Sequence, residues 1–107
     1  MTQDRLRGHL NALLLATLAA GPAHGYALAQ SLRIASDDQL AIPEGSLYPA
    51  LRRLEAEQLV ESQWDTTTKR RRRIYEITAR GKETLVEERR AWRQLKTSID
   101  TVLEAST

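Results

Sequence analysis

Five cationic side chains in a row, Lys69, Arg70, Arg71, Arg72 and Arg73, stand between two runs rich in strand-forming residues, LVESQW at 59–64 and RRIYEIT at 72–78. Charges packed this densely cannot enter a core, because each buried ion without a partner costs roughly several kcal/mol. The chain must therefore present this run at its surface. The spacing predicts an antiparallel hairpin with a long, polar, basic tip. Alternation places Tyr75 and Ile77 on one face of the second strand, and Val60 and Trp64 together on the first. The charge is local to this feature. Residues 1–68 carry 5 Lys/Arg against 8 Asp/Glu, residues 69–82 carry 7 against 1, and residues 83–107 carry 4 against 5. A mildly acidic body with one concentrated basic element suits a polyanionic partner, although charge alone fits a solvated loop equally well.

At 107 residues the chain is expected to form one compact unit with a modest core. It contains no Cys, so it has neither a disulfide framework nor a thiolate nucleophile, which fits a reducing compartment. His9 and His24 are the only imidazoles and belong to no metal-spaced cluster; no metal and no cofactor are expected. There is no nucleophile–base pair at recognisable spacing and no Gly-rich phosphate loop, so the chain is not expected to be an enzyme. RLRGHLNALLLATLAAGPA resembles a secretory signal in its basic start and apolar middle. Leu6, Leu10, Leu13, Leu14 and Leu18, however, fall on one face of a helix, and Asn11 interrupts the apolar stretch. No run approaches the roughly 18 apolar residues of a membrane span. The expected location is the cytoplasm.

Periodicity predicts a first helix over 4–20, stopped by Gly21-Pro22, and a second over 25–34 packed through Tyr26, Leu28 and Leu32. His24, in the turn between them, is expected to pack or cap. After the connector SDDQLAIPEGS comes a third helix, over 46–58. Pro49 limits where that helix begins, since proline is harmless only within a first turn. With Ser46 as N-cap, Pro49 is the third helical residue; a start near Pro43 would set Pro49 inside the helix and kink it. Leu47, Ala50, Leu51 and Leu54 form the stripe to be buried. The opposite face carries Gly45, Pro49, Arg52, Arg53 and Ala56, with Ser46 and Tyr48 at its edges.

The last helix is expected to follow Thr78 as N-cap and to run to about residue 104. Leu85, Trp92, Leu95, Ile99 and Val102 make a coiled-coil-like seam, flawed by Glu88. A helix of about 39 Å cannot lay its whole stripe on so small a domain. A homodimer accounts for it.

The fold class predicted is mainly α with a small β-hairpin: a winged helix-turn-helix over 1–78 and a C-terminal dimerisation helix over 79–107. In that architecture the third helix enters the major groove of double-stranded DNA and the hairpin reaches the neighbouring backbone or minor groove. Arg52 and Arg53 suit base edges, because Arg is the commonest reader of guanine. Lys69, Arg70, Arg71, Arg72 and Arg73 suit phosphates. Tyr48 fits either a contact to DNA or packing against the second helix. Two rivals stand beside this reading: a non-specific architectural or RNA-binding winged helix, which would use the same basic hairpin, and a protein–protein adaptor, against which the Lys69–Arg73 run speaks because an adaptor has no need of the charge.

HGYALAQSL, IPEGSLYPALRRLEAEQLV and RRRIYEITARGKETL resemble, in order and spacing, the motifs of the PadR family of bacterial transcriptional regulators. Length and the single helix after the wing are similar to its short subfamily. The resemblance implies that Ser46, Tyr48, Pro49 and Arg52 lie at or near DNA, that the wing arginines contact the backbone, and that 79–104 is the dimer helix. It also implies a repressor released from its operator by phenolic acids, drugs or other small molecules, and the twofold axis of the expected homodimer predicts that this operator is pseudo-palindromic. A small aromatic effector is the expected ligand. Trp92 matches a position that stacks on ligands in some relatives, while its seam position equally suits an aromatic knob between subunits. Gln58 departs from the pattern, since many members carry Gly there, and leaves the end of the third helix open.

Overall fold

The structure, a computed structural model, describes residues 8–105. Four helices and a small sheet follow in the order α1 (Leu10–Leu18), β1 (Ala23–His24), α2 (Gly25–Ala35), α3 (Glu44–Ala56), β2 (Val60–Trp64), β3 (Arg73–Ile77) and α4 (Ala79–Ala105). This is the winged helix-turn-helix with a long C-terminal helix that the helix order predicted.

In α1, Leu14, Leu15 and Leu18 are buried, and Leu10 and Leu13 pack at the edge of the core. The helix starts later than expected: Gly8 and His9 form a turn ahead of Leu10. Leu6 and the rest of 4–7 lie outside the described residues. Gly21 closes the helix at φ +151°, a conformation reserved in practice for glycine, with its amide donating to the Leu18 carbonyl at 3.0 Å. Tyr26, expected in the core, is 64% exposed and its hydroxyl instead accepts from Gln30 Nε2 at 2.8 Å. Leu28 and Leu32 are buried as the period requires.

The sheet has one strand more than the sequence suggested. Its order is β1-β3-β2, with Ala23 opposite Tyr75 and His24 opposite Ile74. Two residues offer no alternation to read, so β1 was invisible in the sequence. The hairpin β2–β3 pairs Val60 with Ile77, Ser62 with Tyr75 and Trp64 with Arg73. One face of this hairpin is thus apolar at its root and cationic at its tip.

α3 buries Leu47, Ala50, Leu51 and Leu54, the predicted stripe. Its start corrects the sequence expectation: Pro43 is the N-cap, Ser46 is the third helical residue, and Pro49 lies inside the helix. Pro49 has no N–H to donate to the Gly45 carbonyl, but Gly45 is exposed, so water can serve that oxygen.

The far end of α3 explains the Gln58 departure. Leu59 N–H donates to the Leu54 carbonyl at 2.9 Å and Gln58 N–H to the Glu55 carbonyl at 3.0 Å, the double closure of a Schellman turn. Gln58 sits at φ +65°, where a Cβ is unfavourable by roughly 1–2 kcal/mol and glycine is not. Part of that gain is offset by the larger unfolded-state entropy of glycine. Gln58→Gly is therefore expected to raise stability by about 0.5–1 kcal/mol. A urea melt with a higher midpoint and unchanged slope is the expected result.

Thr78 then joins three elements. Its hydroxyl donates to the Gln58 carbonyl at 2.7 Å and accepts from Gly81 N–H at 3.0 Å, capping α4 as expected. Its own amide donates to the Leu59 carbonyl at 3.1 Å. The turn after α3, the start of β2 and the first turn of α4 are fixed by this one residue.

Candidate nucleic-acid interface

The buried stripe of α3 leaves its other side outward. Arg52 and Arg53 are exposed there, and Ser46, Tyr48 and Pro49 are half-buried beside them. Tyr48 is held against α2, as the packing alternative required: a Cβ placed on Gly25 would lie 2.8 Å from Tyr48 Cε1 and 3.0 Å from its hydroxyl. The glycine of HGY and the tyrosine of SLYP are therefore one contact. A side chain at position 25 would push the Tyr48 ring out of its place against α2.

The hairpin tip is folded rather than loose. Asp65 N–H donates to the Arg72 carbonyl at 2.7 Å, closing the loop. Asp65 Oδ1 accepts from the Thr67 hydroxyl at 2.6 Å and from the Thr67 amide at 2.9 Å, an Asx-type turn. These Thr67 bonds, hydroxyl first, hold the Asp65 carboxyl below its ordinary range, with the charges of His24 and Arg72 adding to them against the cost of burial. The Thr68 hydroxyl donates to the Arg70 carbonyl at 3.1 Å.

His24 ties β1 to the base of this loop. Its Nε2 is 3.1 Å from Asp65 Oδ2 and its Nδ1 3.2 Å from the Arg73 carbonyl. As N-cap of α2 it makes no side-chain cap bond, so its role is the wing. Sequence reasoning missed the His24–Asp65 pair. Nothing in local spacing links them; β1 has to be seen first.

Of the basic run, Lys69, Arg70, Arg71 and Arg72 are exposed, while Arg73 is half-buried. Both Arg52 and the four outer wing cations face solvent without an acidic partner within ion-pair distance among the described residues.

On α4, Trp92, Leu95, Ile99 and Val102 are 50%, 43%, 44% and 70% exposed, and Leu103 is 62% exposed. Leu85 does not belong with them. It is 4% exposed and packs in the core of its own chain, because the first turns of α4 still lie over α1. The exposed apolar face begins at Trp92, whose ring meets His9 edge-on at 5.3 Å between centroids. A groove of about 400 Å³ runs between α1 and α4, lined by Ala12, Leu13, Ala16, Leu85, Trp92 and Leu95 among others.

No group of three His, Asp or Glu residues that could hold a metal ion occurs among the described residues. Nor is any described helix long and apolar enough to cross a membrane.

Comparison with known proteins agrees with this arrangement. Residues 14–87 match the family described as transcriptional regulator PadR-like. A transcriptional regulator of Mycobacterium tuberculosis is 40% identical over 72 residues, which is 67% of this chain and 64% of that protein. The structure of a transcriptional regulator from Clostridium thermocellum superposes with a TM-score of 0.86 at 31% identity, over 92% of this chain and 97% of that one. A PadR family transcriptional regulator from Eggerthella lenta gives a TM-score of 0.82 at 37% identity, over 94% of this chain and 87% of that one. The chain belongs to the PadR-like family of transcriptional regulators.

Proposed function

We propose that this protein is a ligand-responsive repressor that binds a pseudo-palindromic operator as a homodimer. The observation that carries the reading is the division of α3, which buries Leu47, Ala50, Leu51 and Leu54 and leaves Arg52 and Arg53 outward, in a chain whose wing carries four exposed cations. In this reading α3 enters the major groove, with Arg52 and Arg53 at base edges and Ser46, Tyr48 and Pro49 near the DNA. Lys69, Arg70, Arg71 and Arg72 approach the flanking phosphates.

The dimer follows from α4. Every described residue from 91 to 105 is exposed, and Trp92, Leu95, Ile99 and Val102 recur on a seam that α1 and His9 border only at Trp92 and Leu95 and that lies open to solvent beyond them. A second copy of α4 covers it most simply, and the resulting twofold axis sets two α3 helices in major grooves on one face of the duplex, half-sites about 34–36 Å apart or a multiple of that. An apolar or aromatic effector would lie in the groove beside Trp92. By holding α1 and α4 apart it would bias the spacing of the two α3 helices away from the DNA-competent one. A hundredfold preference for the released state corresponds to about 2.7 kcal/mol of coupling.

The test is equilibrium binding with Arg52→Ala. That variant is expected to lose on the order of 1–3 kcal/mol on operator DNA and little on random duplex. Equal losses on both would remove α3 as the reader. Sedimentation of the intact protein at micromolar concentration is expected to show a dimer, and a monomer would contradict the seam.

A further inference from the structure

Trp64 is a tryptophan without a core to fill. It lies at the tip end of β2, is 48% exposed, and belongs neither to the buried cluster nor to the residues packed on it. What lies against its ring is charge: the Arg71 guanidinium carbon is 4.7 Å from the ring centroid and that of Arg73 4.8 Å. Arg73 is also directly opposite Trp64 in the strand pairing, so the two side chains share a face of the hairpin.

Arg73 is engaged from the other side as well. Its Nε–H donates to Ser62 Oγ at 2.9 Å, and the Ser62 hydroxyl donates to Glu55 Oε2 at 2.7 Å. Glu55 is in the last turn of α3. A continuous set of contacts thus runs from the recognition helix through Ser62 and Arg73 to Trp64, and from Trp64 to Arg71 in the wing.

We propose that Trp64 and Arg73 are positioning residues: Arg73 locks the hairpin to the end of α3, and Trp64 holds the Arg71 guanidinium ready for a DNA phosphate. A free arginine loses much of its rotamer freedom on docking, and one already stacked on a flat ring loses less. The arrangement therefore divides the basic run. Lys69, Arg70, Arg71 and Arg72 face the polyanion, whereas Arg73 faces the protein. The assignment rests on the DNA-binding reading given above.

The salt dependence of binding separates the two roles, since a lost phosphate contact lowers the log–log slope by about 0.9 and a lost positioning contact does not. With random duplex DNA, Arg71→Gln is expected to lower the slope by about 0.9. Arg73→Gln and Trp64→Leu are expected to weaken binding several-fold with the slope unchanged, and Trp64→Phe to restore most of the affinity. Nuclear magnetic resonance of the protein without DNA supplies a second readout. The side-chain protons of Arg71 and Arg73 are expected to be shifted upfield by the indole ring in the intact protein and to return to ordinary positions in Trp64→Leu. A slope lowered by Arg73→Gln as much as by Arg71→Gln would overturn the proposal, as would a Trp64→Leu protein that binds like the intact one. Intact protein that shows no salt-dependent duplex binding would overturn the DNA reading itself. The arginine shifts would still report whether the Trp64 stack exists.

Discussion

Gly81→Ala is expected to cost about 3 kcal/mol of folding stability, a drop in Tm of more than about 10 °C for a domain of this size. Gly81 is buried in the first turn of α4, against the start of β2 and the end of β3. A Cβ there would run into the Leu59 carbonyl oxygen and come within 2.7 Å of Ile77 Cγ1. The first is backbone, and it already accepts the Thr78 amide, so it cannot move without opening the junction that Thr78 organises. The helix has to lift instead, and Leu85 leaves the core with it. Gly45→Ala is the matching control. Nothing lies within 4 Å of a Cβ at Gly45, and alanine is the better helix former by about 1 kcal/mol, so that variant should be at least as stable as the parent. Thermal melts of the two side by side check both statements.

Replacing Lys69, Arg70, Arg71 and Arg72 together with Gln is expected to lower DNA affinity on the order of 10³-fold at 0.1 M salt, and to flatten the log–log salt slope by roughly 3.6. Each exposed cation is counted as one phosphate contact, contributing about 0.9 to the slope. Because this term is independent of sequence, operator and random DNA should lose equally. Stability should change little, since all four side chains are exposed and the loop is closed by Asp65, Thr67 and backbone groups that the variant retains. Anisotropy titrations across a salt series give both numbers, and a loss confined to operator DNA would assign these cations to base readout instead.

The amphipathic pattern made much of this structure legible. The stripe of α3 was readable because four apolar residues at helical spacing have one way to be buried. The basic tip was readable because its charges have nowhere else to go. Where the sequence misled, a local rule met a tertiary circumstance. Pro49 argued for a start at Ser46, yet the helix begins at Glu44, because the carbonyl that Pro49 leaves without a donor belongs to an exposed glycine. Leu85 has the same seam spacing as Trp92, and only the extent of α1 decides that one is core and the other surface. The pairing of Gly25 with Tyr48 and that of His24 with Asp65 join segments distant in the chain. No periodicity encodes them. Arg73 looked like its four neighbours in the run; the strand register sets it opposite Trp64, and its hydrogen bond to Ser62, two residues back along β2, is visible only in the folded hairpin.

The central claim is that two copies of α3, flanked by their wings, read DNA sequence in a fixed geometry. Selection from a pool of random duplexes by the intact protein tests it most directly, because no operator has to be chosen in advance. The expected result is enrichment of a pseudo-palindrome whose half-sites are centred about 10–10.5 base pairs apart or a multiple of that, with Arg52→Ala relaxing the preference within each half-site. Salt-sensitive binding that enriches no sequence would contradict the claim and would leave the wing as a non-specific polyanion contact.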